Sequence, residues 1–194
     1  MKTVLIIICF VALSFTGKAQ YKKDSTDMST RLETFMQYNR LMDIDKVLDY
    51  TYPKLFTIAP REQVKEAMEN AFSNDELIIN LDSVSIVKIY PVFAFNENMY
   101  SKIIYSMTIY MELKDELKDT ADTRMFLKIM QDQYGEENVT IDNKRNGINI
   151  FQQVDMAAIK DEFSPEWTFV NLKKDDPLLE MLFEKDLIAR FNSY

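Results

Sequence analysis

The sequence predicts an α+β fold in which N-terminal helices pack on a bent, mostly antiparallel sheet. Apolar residues recur with helical spacing from residue 27 to about residue 72, and with the alternation of strands from residue 77 onwards. No internal repeat, low-complexity tract or linker divides the chain. Helices followed by strands in this way are typical of the α+β class.

Residues 1–19 have the pattern of a secretory signal peptide. Lys2 gives the basic start, an apolar segment follows, and Gly17 and Ala19 are the small residues before a cut at Gln20. The apolar run of about a dozen residues is shorter than the roughly 20 that span a bilayer. We therefore expect residues 20–194 to form one periplasmic or secreted domain, with no stable membrane insertion after cleavage.

Three helices are expected before the sheet. The first covers about residues 27–42, after a short mobile lead-in at residues 21–27. The second starts after Asp43, whose carboxylate suits a helix cap, and ends near Pro53. The third covers residues 60–72 and begins with a proline, a residue that fits the first turn of a helix.

The sheet is expected to begin with a strand over residues 77–89. Its apolar residues change from odd to even positions after Leu81, which predicts a bulge at Asp82 and Ser83. The most regular alternation lies in residues 103–113 and predicts a strand with one apolar face.

The second half of the chain returns to helices and then to strands. Charged residues 114–120 are expected to form a loop. Asn146-Gly147 is typical of a tight hairpin, because both residues tolerate positive φ angles. The remaining expected elements are an inserted helix over residues 122–134, a hairpin of residues 139–141 and 148–159, a strand over residues 167–172 and a C-terminal helical region from residue 177.

The mature chain contains neither cysteine nor histidine. Cys9, the only cysteine, lies in the signal segment, and the whole sequence has no histidine. This excludes Ser-His-Asp and Cys-His nucleophilic systems, disulfides, and zinc sites built on imidazole or thiolate. Any catalysis would depend on Asp, Glu, Lys, Arg, Tyr or Ser.

The charge and the remaining metal-binding patterns are also restrictive. Residues 20–194 carry 21 basic and 31 acidic residues, a net charge of −10, so nucleic acid is not an expected partner. The methionines occupy helical and strand patterns typical of core packing rather than a copper site. The acidic clusters lack the alternating oxygen ligands of a calcium loop. The sequence therefore predicts no metal and no cofactor.

Three segments and the order of the elements resemble the nuclear transport factor 2-like superfamily. The segments are residues 35–50 (FMQYNRLMDIDKVLDY), residues 52–56 (YPKLF) and residues 166–170 (EWTFV). The resemblance implies a cone whose mouth often holds a small molecule, and the inserted helix departs from the minimal fold. Some members of the superfamily are isomerases or dehydratases, and many are binding modules. No catalytic motif of the enzymes can be placed on this chain.

The candidate pocket residues are three aromatic side chains and one acid. Tyr105, Tyr110 and Trp167 lie on or beside strand patterns, where core packing explains each of them equally well. Asp82, at the expected bulge, is a candidate base beside Tyr105 for an enzyme, with a surface cap as its alternative.

We expect an exported, non-enzymatic domain that binds a small apolar ligand or a protein partner. The alternative is a His-free isomerase or dehydratase that uses Asp and Tyr in a cone pocket. A third interpretation is an assembly protein that acts through its sheet face.

Overall fold

The computed structural model describes residues 23–72, 77–113, 121–174 and 176–194. These residues form helices and a six-stranded antiparallel sheet, with helices before the sheet and after it. The α+β prediction is therefore confirmed. The expected signal peptide and the expected loop at residues 114–120 lie outside the described residues.

The bounds of the elements follow the chain order. The helices are α1 (23–41), α2 (Ile44–Tyr50), α3 (Leu55–Ile58), α4 (Arg61–Phe72), α5 (Ala121–Tyr134), α6 (Pro177–Leu182) and α7 (Lys185–Asn192). A 3-10 turn, Glu136–Asn138, follows α5. The strands are β1 (Leu77–Ile89), β2 (Phe93–Phe95), β3 (Asn98–Leu113), β4 (Val139–Asp142), β5 (Gly147–Asp161) and β6 (Ser164–Asn171).

Two long strands form the centre of the sheet. β3 and β5 pair antiparallel without a break from Met99↔Lys160 to Glu112↔Gly147. The outer side of β3 pairs with β1 and with the short β2, while the outer side of β5 pairs with β4 and then with β6. Each side of the central pair is therefore built from two separate strands.

The predicted bulge in β1 is confirmed. The register against β3 shifts between Leu81 and Ser83, which leaves Asp82 without a paired residue. The extra residue lets Leu81 and Val84 both point to the helix-covered face although their positions differ in parity. A second shift between Ile86 and Lys88 was not evident from the sequence.

Helices cover the sheet on both faces. On the first face, α1 and α2 cover one end and α5 covers the other, while α6 and α7 pack on the second face. The apolar alternation predicted for residues 103–113 faces the helices of the first face as far as Met111. The largest buried side chains include Met28, Leu32, Met36, Ile103, Met156, Trp167 and Phe169 on the first face, and Tyr52 and Phe191 in the cluster on the second.

The expected mobile lead-in is wrong for the part that the structure describes. α1 already includes residue 23, and Asp24 is only 3% exposed. Its Oδ1 lies 2.8 Å from Nζ of Lys160, at the end of β5. The polar composition of residues 21–27 suggested a loop because a sequence does not reveal an ion-pair partner that lies far along the chain.

The C-terminal region differs from the sequence prediction in one respect. The expected helical region is two short helices, separated at Phe183 and Glu184, where both residues have extended backbone angles. The break lets Leu182, Phe183 and Phe191 all pack on the second face of the sheet. The inserted helix between strands is confirmed as α5.

Gly147 has a different role from the one that the hairpin pattern predicts. Asn146 has the positive φ angle, 53°, whereas Gly147 does not. A Cβ atom at Gly147 would lie 2.3 Å from the carbonyl oxygen of Met111 and 2.6 Å from the ring of Tyr110. The glycine is therefore required by the close approach of β5 to β3.

We expect Gly147→Ala to lower the free energy of unfolding by about 1–3 kcal/mol, because the added methyl overpacks the contact with the β3 backbone. Urea unfolding followed by circular dichroism measures the change. Ser85→Ala, on the exposed outer strand β1, is the control and should shift stability by less than about 0.5 kcal/mol. Equal stability of Gly147→Ala and the unmodified protein would contradict the close approach.

Candidate functional site

A cavity of about 980 Å³ lies between the N-terminal helices and the first face of the sheet. The sheet supplies its floor, α1, α2 and α4 its roof, and the end of α5 its far wall. The cavity reaches the gap where β4 stops pairing with β5 at Ile150 and β6 starts pairing at Met156. It exists because the N-terminal helices and α5 cover opposite ends of one sheet face.

Most of the side chains between floor and roof are apolar. This surface is characteristic of small-molecule pockets, which combine an apolar lining with a few polar groups. The volume lies at the upper end of the range of about 300–1,000 Å³ for such pockets. The apolar lining residues are Phe35, Val47, Leu48, Val64, Met68, Tyr105, Met107, Tyr134, Val154 and Phe169, together with Leu55, Val170, Leu172 and Leu178, which also pack against the second-face cluster.

Tyr105 is the most buried polar group of the cavity wall. Its side chain lies in the core cluster and its hydroxyl donates a hydrogen bond of 3.1 Å to Oδ1 of Asn171. Burial raises the pKa of Tyr105, and the hydrogen bond with Asn171 offsets part of that rise. The phenol is therefore neutral near pH 7 and acts as a hydrogen-bonding group rather than as a base.

Two further amides lie where the cavity meets the gap in the sheet. Gln152 and Gln153 line this opening. Their side chains make no hydrogen bond within the described residues. Each amide can therefore offer a donor and an acceptor to a bound molecule.

The acids in the lining are engaged by other groups. Oδ2 of Asp155 lies 2.7 Å from Nζ of Lys102, whose side chain is only 8% exposed. Asp176 caps α6, accepting a hydrogen bond of 2.9 Å from the backbone N–H of Leu178. Neither carboxylate is paired with Tyr105. Within the described lining, the Tyr105 hydroxyl is hydrogen-bonded to an amide and not to a carboxylate.

Of the four residues singled out in the sequence, only Tyr105 lines this cavity. Trp167 is 1% exposed and packs under α1, where Nε of Arg31 donates to its carbonyl oxygen at 2.8 Å. Its own Nε1 has no hydrogen-bond acceptor among the described residues. Trp167 is part of the core cluster, which is the packing explanation that the sequence had left open.

Tyr110 and Asp82 come together elsewhere, around Arg145 in the β4–β5 hairpin. The Arg145 guanidinium lies 3.9 Å from the ring centroid of Tyr110, and its Nη1 lies 2.6 Å from Oδ2 of Asp82. The Tyr110 hydroxyl donates to the Arg145 carbonyl. Asp82 is therefore an ion-pair partner that fixes the bulge beside the hairpin, and it is not close to Tyr105 in the cavity lining.

Sequence reasoning missed most of the cavity wall. Val64 and Met68 are apolar positions of the helix predicted over residues 60–72, and their spacing gives no sign that they face an empty space. Asn171 lies within the last predicted strand, residues 167–172, and no pattern there distinguishes it as a cavity residue. A cavity is a property of how layers fit together, and the period of one element does not encode it.

The described residues contain no group of three or more His, Cys, Asp or Glu side chains that could hold a metal ion. None of the helices within those residues combines the length and apolar character needed to cross a membrane. Comparison with protein-family models finds no match, and comparison with curated proteins finds none either.

The burial of Tyr105 makes stability depend on pH. Because the native pKa is raised above the ordinary value of 10, the unfolded chain releases the proton first, and stability present below pH 10 is lost as the pH rises further. We expect Tyr105→Phe to reduce this alkaline loss by up to about 1.4 kcal/mol per pH unit. Urea unfolding at pH 8 to 11 measures it, and identical slopes for both proteins would refute the assignment.

Proposed function

We propose that this chain is an exported, non-enzymatic protein that binds a small and largely apolar molecule. The observation that carries the proposal is the cavity of about 980 Å³ between the helices and the sheet. Export rests on the N-terminal sequence, whose basic start, apolar segment and small residues before Gln20 match a signal peptide.

The distribution of polar groups favours binding by burial with a few directed hydrogen bonds. Apolar side chains from α1, α2 and α4 face apolar side chains of the sheet. An apolar molecule bound between them would therefore be removed from contact with water on both of its sides. Asn171, Gln152 and Gln153 add amide groups at the edge of the same space. Such groups orient a ligand without any chemical step.

The polar contacts support binding more than catalysis. An isomerase or dehydratase without histidine needs a carboxylate base close to a phenol. Among the described lining residues, Asp155 is paired with Lys102 and Asp176 caps a helix, while Tyr105 donates to an amide. We therefore favour the binding function over the enzymatic alternative.

Filling the cavity should abolish binding. We expect Val64→Trp to weaken the binding of an apolar fluorescent dye at least about tenfold, because the indole occupies space that the ligand needs. Fluorescence titration of the mature protein measures the affinity. Val87→Trp is the matched control, since Val87 lies on β1, is 50% exposed and does not line the cavity.

Thermal unfolding of both variants checks that each remains folded. Equal dye affinity in the unmodified protein and in folded Val64→Trp would place dye binding outside the cavity and contradict the proposal. Native mass spectrometry of protein purified from its exporting cells tests the same function directly. A bound small molecule that is lost in Val64→Trp and kept in Val87→Trp is the expected result.

A further inference from the structure

We propose that the molecule bound in this cavity is an amphipathic anion, with an apolar chain between the helices and the sheet and an anionic head group at Lys173 and Lys174. This inference rests on the proposed binding function and names its ligand class. It is carried by the charges of the cavity lining and by the partners that each of them has.

The described lining contains four charged side chains. They are Asp155, Lys173, Lys174 and Asp176, all on β5 or on the segment that follows β6. Both acids are engaged, Asp155 with Lys102 at 2.7 Å and Asp176 with the first turn of α6. The Lys102 ammonium offsets the charge of Asp155, and the Asp176 carboxylate is held by the α6 backbone, which it caps.

The two lysines are not compensated. Within the described residues, neither the Lys173 nor the Lys174 ammonium has an ion pair or a hydrogen bond. Both side chains are exposed at the edge of the cavity. The two ammonium groups are therefore available to a ligand at this edge, although acidic residues outnumber basic ones by 31 to 23 in the whole chain.

The lysines lie in the segment that follows β6, beside the gap between β4 and β6. Apolar side chains of the roof, which include Phe35, Val64 and Met68, lie on the helices. A chain of methylene groups fits the apolar part, because the removal of each CH₂ from water favours binding. A carboxylate or a phosphate fits the ammonium groups, which are point charges with rotatable donors.

A series of ligands that differ only in the head group tests the inference. Decanoate, decyl phosphate, decanol and decylamine share one ten-carbon chain, and their affinities for the mature protein can be measured by displacement of an apolar dye. We expect both anions to bind more tightly than decanol, and decylamine to bind most weakly. The tighter of the two anions identifies the head group.

The head-group contribution should depend on the two lysines. We expect Lys173→Gln with Lys174→Gln to weaken decanoate binding by about twofold to tenfold, which is the range for one or two exposed ion pairs. Decanol binding should remain unchanged, because the apolar surface is intact. The control is Lys144→Gln with Lys185→Gln, which removes the same charge from exposed positions that do not line the cavity.

Salt gives an independent readout. Raising the ionic strength from 0.15 M to 1 M shortens the screening length from about 8 Å to about 3 Å, so the preference for decanoate over decanol should shrink. The affinity for decanol, which carries no charge, should not fall at the higher ionic strength. Circular dichroism of both double variants confirms that each remains folded.

The possible failures are distinguishable. If decanol binds as tightly as decanoate, or if the lysine variant keeps the full preference for anions, the head-group inference is wrong and the apolar binding function stands. If the dye itself does not bind the mature protein, so that no ligand can displace it, the proposed function fails and the inference fails with it.

Discussion

The unbroken pairing of β3 with β5 is the constraint on which the rest of the structure depends. The pair runs from Met99↔Lys160 to Glu112↔Gly147. Two separate strands pair with each outer side, β1 and β2 with β3, and β4 and β6 with β5. Because β4 stops at Ile150 and β6 starts at Met156, the outer side of β5 has a gap. The cavity opens at this gap, so the position of the candidate site follows from strand lengths rather than from any single side chain.

Buried charges fix the ends of this framework. Asp24 joins α1 to the end of β5 through Lys160, and Lys102 holds Asp155 at the edge of the cavity. Leaving either buried partner alone would cost several kcal/mol, so each pair specifies one arrangement of the elements. With these acids engaged, the polar groups left in the described cavity lining are amides and two lysines, which suit recognition of a ligand.

The sequence predicted the elements more accurately than their environment. The change of parity after Leu81 located the bulge, because alternation in a strand has a strict period of two. The same reasoning could not distinguish Tyr105, which lines the cavity, from Trp167, which is core, because both are apolar positions on strands. The lead-in before residue 27 was misjudged because the partner of Asp24 lies more than a hundred residues away.

The sequence by itself determined the α+β class, the order of helices and strands, the bulge, and the absence of histidine and of any cysteine beyond Cys9. These depend on local periodicity and on composition, which a chain carries without folding. Only the tertiary structure decided that a space of about 980 Å³ remains between the helices and the sheet, and that Lys173 and Lys174 meet it with no ion pair or hydrogen bond to the part of the chain that the structure describes. Cavities and unpaired charges arise from the fit between distant segments, and no local pattern records that fit.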